Sequence, residues 1–189
     1  MKRLALLLAL ALTIPACVAD STPSEDDEAS QTEDAVTLAT DTKIKNAVMK
    51  TASGLYFMSE SDHDFVWVRS TKVQSGPASA AIVHAAFNKV TDGDAMADKP
   101  LASLKSETVP FESFASRYVP VAGEDADNFA YHQKMTKLLD ALRTNLKNPV
   151  VIRMGRPQGR NLVGAISVYI VGTLPSGKVG GVFTVSVET

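Results

Sequence analysis

Three carboxylates, Glu60, Asp62 and Asp64, recur at every second residue just behind the apolar run Leu55-Tyr56-Phe57-Met58. The run anchors the backbone in a core, so the carboxylates project from a fixed base as a set of negative oxygens. The plainer reading of the same residues is a solvated turn. A second acidic group stands at Glu188-Thr189, where a carboxylate and a hydroxyl follow a strand-like stretch. Most chain ends fray; one that ends in a strand holds both groups in place. The remaining chemistry is sparse. His63, His84 and His132 are scattered, and His132 falls on an apolar helical stripe, where it reads as a satisfied core residue. With a single cysteine, Cys17, there is neither a zinc cluster nor an internal disulfide. No Gly-x-Ser-x-Gly elbow occurs. Gly172 to Lys178 imitates a phosphate loop, but Val179 stands where Ser or Thr would bind magnesium, and the segment joins two strands. A catalytic constellation is absent, and an enzyme is the least supported reading.

The elements that position these groups follow from periodicity. Leu162 to Gly172 is uncharged and rich in β-branched residues, as suits a central strand covered on both faces. Leu174-Pro175-Ser176-Gly177 is a turn. Beyond it Val179, Gly181, Phe183, Val185 and Val187 share one face of a closing strand that carries Glu188 and Thr189 to the rim of the sheet. Helices are expected over Lys43–Ala52, capped by Asp41 and stopped by Ser53-Gly54, over Ala78–Val90 with Ile82, Ala86 and Phe87 inward, and over Pro110–Tyr118. Val90 to Glu107 reads as a loop pinned by Leu101 and Leu104. The strongest helix runs from Glu124 to Lys147, with Phe129, His132, Met135, Leu138, Leu139, Leu142 and Leu146 as its apolar stripe. Strands are expected at Phe65–Val68 and from Val150, and Arg156 to Arg160 reads as a basic loop.

Ahead of these elements the chain changes character. Lys2-Arg3 and nine apolar residues, Leu4 to Leu12, form a secretory signal too short for a permanent span. Ile14-Pro15-Ala16-Cys17 resembles the lipobox of bacterial lipoproteins, in which the cysteine is lipidated; cleavage after Ala19 is the competing reading. Residues 1–17 are thus read as signal peptide with lipobox. Residues 18–42 carry eight acidic residues and no Lys or Arg, and are expected to be a disordered tether. Residues 43–189 form one domain. It holds 17 of the 19 basic and 13 of the 21 acidic residues, so it is near +4 while the whole chain is −2. That excess is no nucleic-acid-binding signature, and direct nucleic-acid binding is not expected.

Four segments in order, Gly54-Leu55-Tyr56-Phe57-Met58-Ser59-Glu60-Ser61-Asp62, Asn145-Leu146-Lys147-Asn148-Pro149, Val168-Tyr169-Ile170-Val171-Gly172 with Pro175-x-Gly177, and the terminal Val187-Glu188-Thr189, resemble the nuclease A inhibitor family. The resemblance is dense over residues 54–62 and 134–189 and weak between 66 and 125. It implies an α+β fold, an α/β/α sandwich with a central, mainly antiparallel sheet. It also implies that Glu60 and Thr189 enter the catalytic cleft of a sugar-nonspecific nuclease and engage its magnesium, an ion that takes hard oxygen ligands. Two departures stand out. Ala122 and Gly123 occupy the place of the family's Asp-Trp pair, and the Arg156–Arg160 segment is basic where the family tends to be acidic.

The resulting expectation is a monomeric, non-enzymatic inhibitor without cofactor. It would be an exported lipoprotein of the bacterial cell envelope, held to the membrane through Cys17, that blocks the active site of a secreted or periplasmic Mg-dependent endonuclease. The alternative is a non-inhibitory binding lipoprotein on the same fold, using Arg153, Arg156 and Arg160 for an anionic ligand. The anchor has a direct test. Cys17→Ala should abolish labelling by a fatty-acid probe in a bacterial host and release the protein from membranes. An unlabelled wild type would refute the lipobox.

Overall fold

A computed structural model describes residues 25–87 and 99–189, with side-chain surroundings from residue 39 onward. The signal sequence, Cys17 and the first part of the expected tether lie outside the described residues, as does the segment after Phe87 that includes the expected end of the second helix. In order, the elements are α1 (Glu25–Ala52), β1 (Tyr56–Phe57), β2 (His63–Asp64), β3 (Val66–Val73), α2 (Ala80–Phe87), β4 (Lys105–Pro110), α3 (Phe111–Ala115), α4 (Ala126–Asn145), β5 (Lys147–Gln158), β6 (Asn161–Thr173) and β7 (Lys178–Glu188). Short 3-10 turns cover Leu101–Ser103 and Ser116–Tyr118.

β3, β7, β6, β5 and β4 form, in that order, one antiparallel sheet, and β1 and β2 pair as a separate hairpin. Helices cover both faces of the sheet. On one side α1, α3 and α4 press Ile44, Val48, Phe111, Phe114, Leu138 and Leu142 onto Val151, Ile166, Val168, Ile170 and Val182. On the other, Val83 and Phe87 of α2 pack with Ile152, Met154, Tyr169, Val171, Val179, Phe183 and Val185. The molecule is the expected α/β/α sandwich. β6 is apolar throughout its second half because its two faces serve two different cores. Tyr169 sits at the centre of the second core, its ring 5.8 Å from Phe87 and 4.9 Å from Phe183.

β7 approaches β6 too closely for a side chain at Gly181, and at Gly180 the Leu174 side chain of the turn takes the space. A Cβ at Gly181 would collide with the Ile170 carbonyl oxygen, and one at Gly180 with Leu174. Gly177, at φ +74°, closes the turn between them.

Several elements differ from the sequence reading. α1 begins at Glu25, so residues 25–42, expected as a tether, join the helix expected from Lys43. No Gly or Pro interrupts Glu25 to Ser53, and acidic residues at its start suit the helix dipole. Asp41 is therefore no cap. It lies within the helix at 1% exposure, its Oδ2 accepting the Ser176 hydroxyl at 2.6 Å and facing Arg69 Nη1 at 3.6 Å. Lys105 to Glu107, the end of the expected loop, opens an edge strand that runs to Pro110, with Ser106, Thr108 and Pro110 exposed and Lys105, Glu107 and Val109 half-buried in alternation. In α2 the buried residues are Val83 and Phe87, with Ile82 and Ala86 half-buried. Phe129 of the α4 stripe is 37% exposed, and the first fully buried residue of the helix is Met135.

The Asp41 contact yields a prediction. Arg69→Met leaves a buried carboxylate with only a hydroxyl partner, and should cost about 2–3 kcal/mol by denaturant unfolding, discounted because Arg69 is partly exposed. Adding Asp41→Asn should recover part of the loss.

Candidate functional site

The β1–β2 hairpin places the acidic loop. Pairing of Tyr56 with Asp64 and Phe57 with His63 leaves residues 58–62 as its tip. Strand alternation turns Phe57 inward, stacked 6.4 Å from Phe114 and edge-on 6.1 Å from Phe65, while Tyr56 and Met58 face outward, each 49% exposed. The tip then docks on the end of β7. β3 pairs with β7 only as far as Phe183, so the outer backbone groups beyond that point need other partners. The hairpin supplies them. The Glu60 N–H donates to the Val187 carbonyl at 3.3 Å, and the Val187 N–H donates to Ser59 Oγ at 3.1 Å. Thr184 Oγ1 donates to the His63 carbonyl at 3.2 Å. Ser59 Oγ donates in turn to the Ser61 carbonyl at 2.7 Å, which fixes the loop's bend.

This docking brings Glu60 to the end of the chain. Thr189 Oγ1 donates to Glu60 Oε1 at 2.5 Å, across 129 positions of sequence, and both residues are exposed. Glu188 is held from the other side: its Oε1 accepts the Ser186 hydroxyl at 3.0 Å and pairs with Arg153 Nη2. Arg153 Nη1 reaches Glu107 Oε2 at 3.1 Å, and Lys105 Nζ meets Glu107 Oε1 at 2.8 Å. A row of alternating charges thus crosses β4, β5 and β7 and steadies the last residues of β7.

The three expected carboxylates have separate surroundings. Glu60 meets Thr189, Asp62 faces a groove against α4, and Asp64 lies in β2 opposite Tyr56. Among the described residues no three His, Cys, Asp or Glu side chains converge as a metal-binding group. The Glu60 carboxylate and the Thr189 hydroxyl are two hard oxygens of the kind that magnesium accepts.

The basic segment is not a loop. β5 continues to Gln158, and Gly159-Arg160 is a two-residue turn with Gly159 at φ +58°. Arg156 and Arg160 are exposed, the Arg160 carbonyl accepts from Lys105 Nζ, and Arg153 is occupied by two carboxylates. The three arginines do not form one anion site. At Ala122-Gly123 the chain turns with Gly123 at φ +92°, closed by the Glu124 N–H on the Val121 carbonyl at 3.3 Å. Exposed Val119, Val121 and Phe129 flank it in sequence.

His132 is partly buried, its Nδ1 2.8 Å from Glu124 Oε2 and its ring beside Tyr118 and Tyr131. Tyr131 accepts the Met58 N–H at 3.4 Å, tying α4 to the acidic loop, and burial raises its hydroxyl pKa above the usual tyrosine value. Ser59, Arg153 and Tyr131 escape sequence reasoning as positioning residues, because each acts on a partner distant in the chain. Only the Ser-Glu-Ser pattern at the tip hinted at Ser59, since serines that bond back to the backbone mark tight turns.

Ser59→Ala removes the acceptor of the Val187 N–H and the donor to Ser61. It should cost about 1 kcal/mol and speed hydrogen exchange at the Val187 amide, while exchange in the middle of β6 stays unchanged.

A sequence profile of the nuclease A inhibitor-like proteins matches residues 42–189. No curated protein matches the chain. The profile spans the whole sandwich, from the buried end of α1 to Thr189, and on that coverage the chain belongs to the nuclease A inhibitor-like family.

Proposed function

We propose that this protein inhibits a sugar-nonspecific, magnesium-dependent endonuclease by inserting the Glu60–Thr189 rim into its active site. The observation that carries the reading is the contact between those two side chains: two hard oxygen donors, exposed and held together at one edge of a rigid sheet. A metal that keeps exchangeable waters accepts such oxygens, and its loss to an inhibitor stops the enzyme. Family membership supports a nuclease as partner and a non-enzymatic role. The Cys17 anchor, the cell-envelope location, the monomeric state and the action on a secreted or periplasmic nuclease belong to the same proposal. The anchor and the location rest on the leader sequence and on the lone thiol that follows it. The alternative of an anion-binding lipoprotein loses support from Arg153, whose guanidinium already serves Glu107 and Glu188.

Inhibition assays against a panel of secreted metal-dependent nucleases test the proposal. Glu60→Ala should weaken inhibition by about 2–4 kcal/mol, the scale of an interface hot spot, without changing the melting temperature. Residues appended after Thr189 should also weaken it, since they would have to share the cleft. A tagged protein as potent as the untagged one would rule out insertion of Thr189.

A further inference from the structure

Beside the Glu60–Thr189 rim lies a groove of about 300 Å³ between the acidic loop and the first turns of α4. Tyr56, Met58 and Asp62 form its loop side, and Asp127, Tyr131 and Lys134 its helix side. We propose that it receives an arginine side chain of the inhibited nuclease, which makes Asp62 and Asp127 specificity-determining residues. The inference rests on the inhibitor reading and names a second contact of the same interface.

Charge complementarity and continuity with the rim argue for this occupant. Asp62 and Asp127 are exposed, and neither forms a salt bridge with another described residue. The groove therefore presents two carboxylates that form no salt bridge among the described residues, with Lys134 in the same lining, beside the half-exposed side chains of Tyr56 and Met58. A planar guanidinium can bond carboxylates along its edge while stacking on an aromatic ring, which an ammonium does less well. The groove is also held in shape, because the Met58 N–H bonds the Tyr131 hydroxyl across it. An enzyme that grips the phosphate backbone of any nucleic acid needs cationic side chains around its cleft. Asp62 is two residues from Glu60, so a nuclease seated on the rim brings such side chains to the groove. Lys134 is the opposing charge. It stands seven residues along α4 from Asp127, about 10 Å on, and weakens the field without cancelling it.

Two measurements on the full chain separate this inference from the function it rests on. In the first, N-acetyl-arginine amide is titrated into isotope-labelled protein beside its citrulline counterpart, which keeps the shape and lacks the charge. The Met58, Asp62 and Asp127 amide signals should shift saturably with arginine and far less with citrulline. The preference should vanish in the Asp62→Asn/Asp127→Asn double variant and grow in Lys134→Ala. Equal shifts from the two ligands, or none, would overturn the groove assignment. In the second, a nuclease that the wild type inhibits is assayed with the same variants. The double variant should inhibit at least about tenfold less well, because the nuclease's arginine then meets no opposite charge, and Lys134→Ala should inhibit better. If the double variant matches wild type against a nuclease that Glu60→Ala fails to inhibit, the groove is no part of the interface. If no nuclease in the panel is inhibited, the functional reading fails, and the nuclease as occupant fails with it.

Discussion

The antiparallel pairing of β6 with β7 fixes everything that the protein offers to a partner. Ten residue pairs run from Gly164 opposite Glu188 to Thr173 opposite Val179. A slip of one residue would move Phe183 and Val185 from one core to the other and reverse the facing of every group near the chain end. Burial prevents it, because the two faces of β7 differ. One carries Val179, Phe183 and Val185 against α2, and the other carries Gly180, Val182, Thr184 and Ser186. Gly181 adds a steric lock, since a side chain there would strike the backbone of Ile170 and Val171. Register set in the middle of the sheet thus determines where Thr189 stands at its edge.

A strand end is nonetheless a weak place for a site, because backbone groups without partners open to water. Here two devices counter that. The β1–β2 hairpin fills the position on β7 that β3 leaves vacant, with Ser59 and Glu60 bonding both polar groups of Val187. The alternating charges of Lys105, Glu107, Arg153 and Glu188 grip the opposite side. Partly exposed ion pairs contribute little to global stability one by one, but a connected row restricts orientation. Rigid presentation of a few oxygens lowers the entropy lost on binding, which favours affinity without a large interface.

The same economy of partners explains the acidic loop. Its apolar base, Leu55 and Phe57, is buried beneath α3 and α4, while the residues between them and beyond alternate outward. Glu60 and Asp62 leave the loop in different directions, one toward the chain end and one toward α4. Two neighbouring surfaces of unlike chemistry result, a hard-oxygen rim and a groove of mixed aromatic and acidic character. The position before α4 is a glycine turn, and exposed Phe129 lies one turn into the helix.

Much of this was legible in the chain. The continuous apolar run of β6, the alternation along β7 and the stripe on α4 are local patterns set by side-chain spacing, and they marked the strands, the long helix and the closing hairpin before any contact was known, while the fold class followed from the family resemblance. The acidic tip after an anchored run and the terminal Glu188-Thr189 were likewise visible as residues. What the sequence could not supply was pairing across distance. β4 carries only weak strand propensity and forms because β5 offers an edge to it. α1 reaches back past Lys43, and Asp41 is buried because Arg69 and Ser176, far along the chain, meet it there. Arg156 and Arg160 read as one basic loop until β5 extended past Arg156 to Gln158, and Arg153, grouped with them for an anion, was claimed by Glu107 and Glu188. Local spacing decides which face a residue takes; which distant group waits on that face is decided only when the sheet assembles, because hydrogen bonds and ion pairs depend on position in space and leave no periodic trace in the chain.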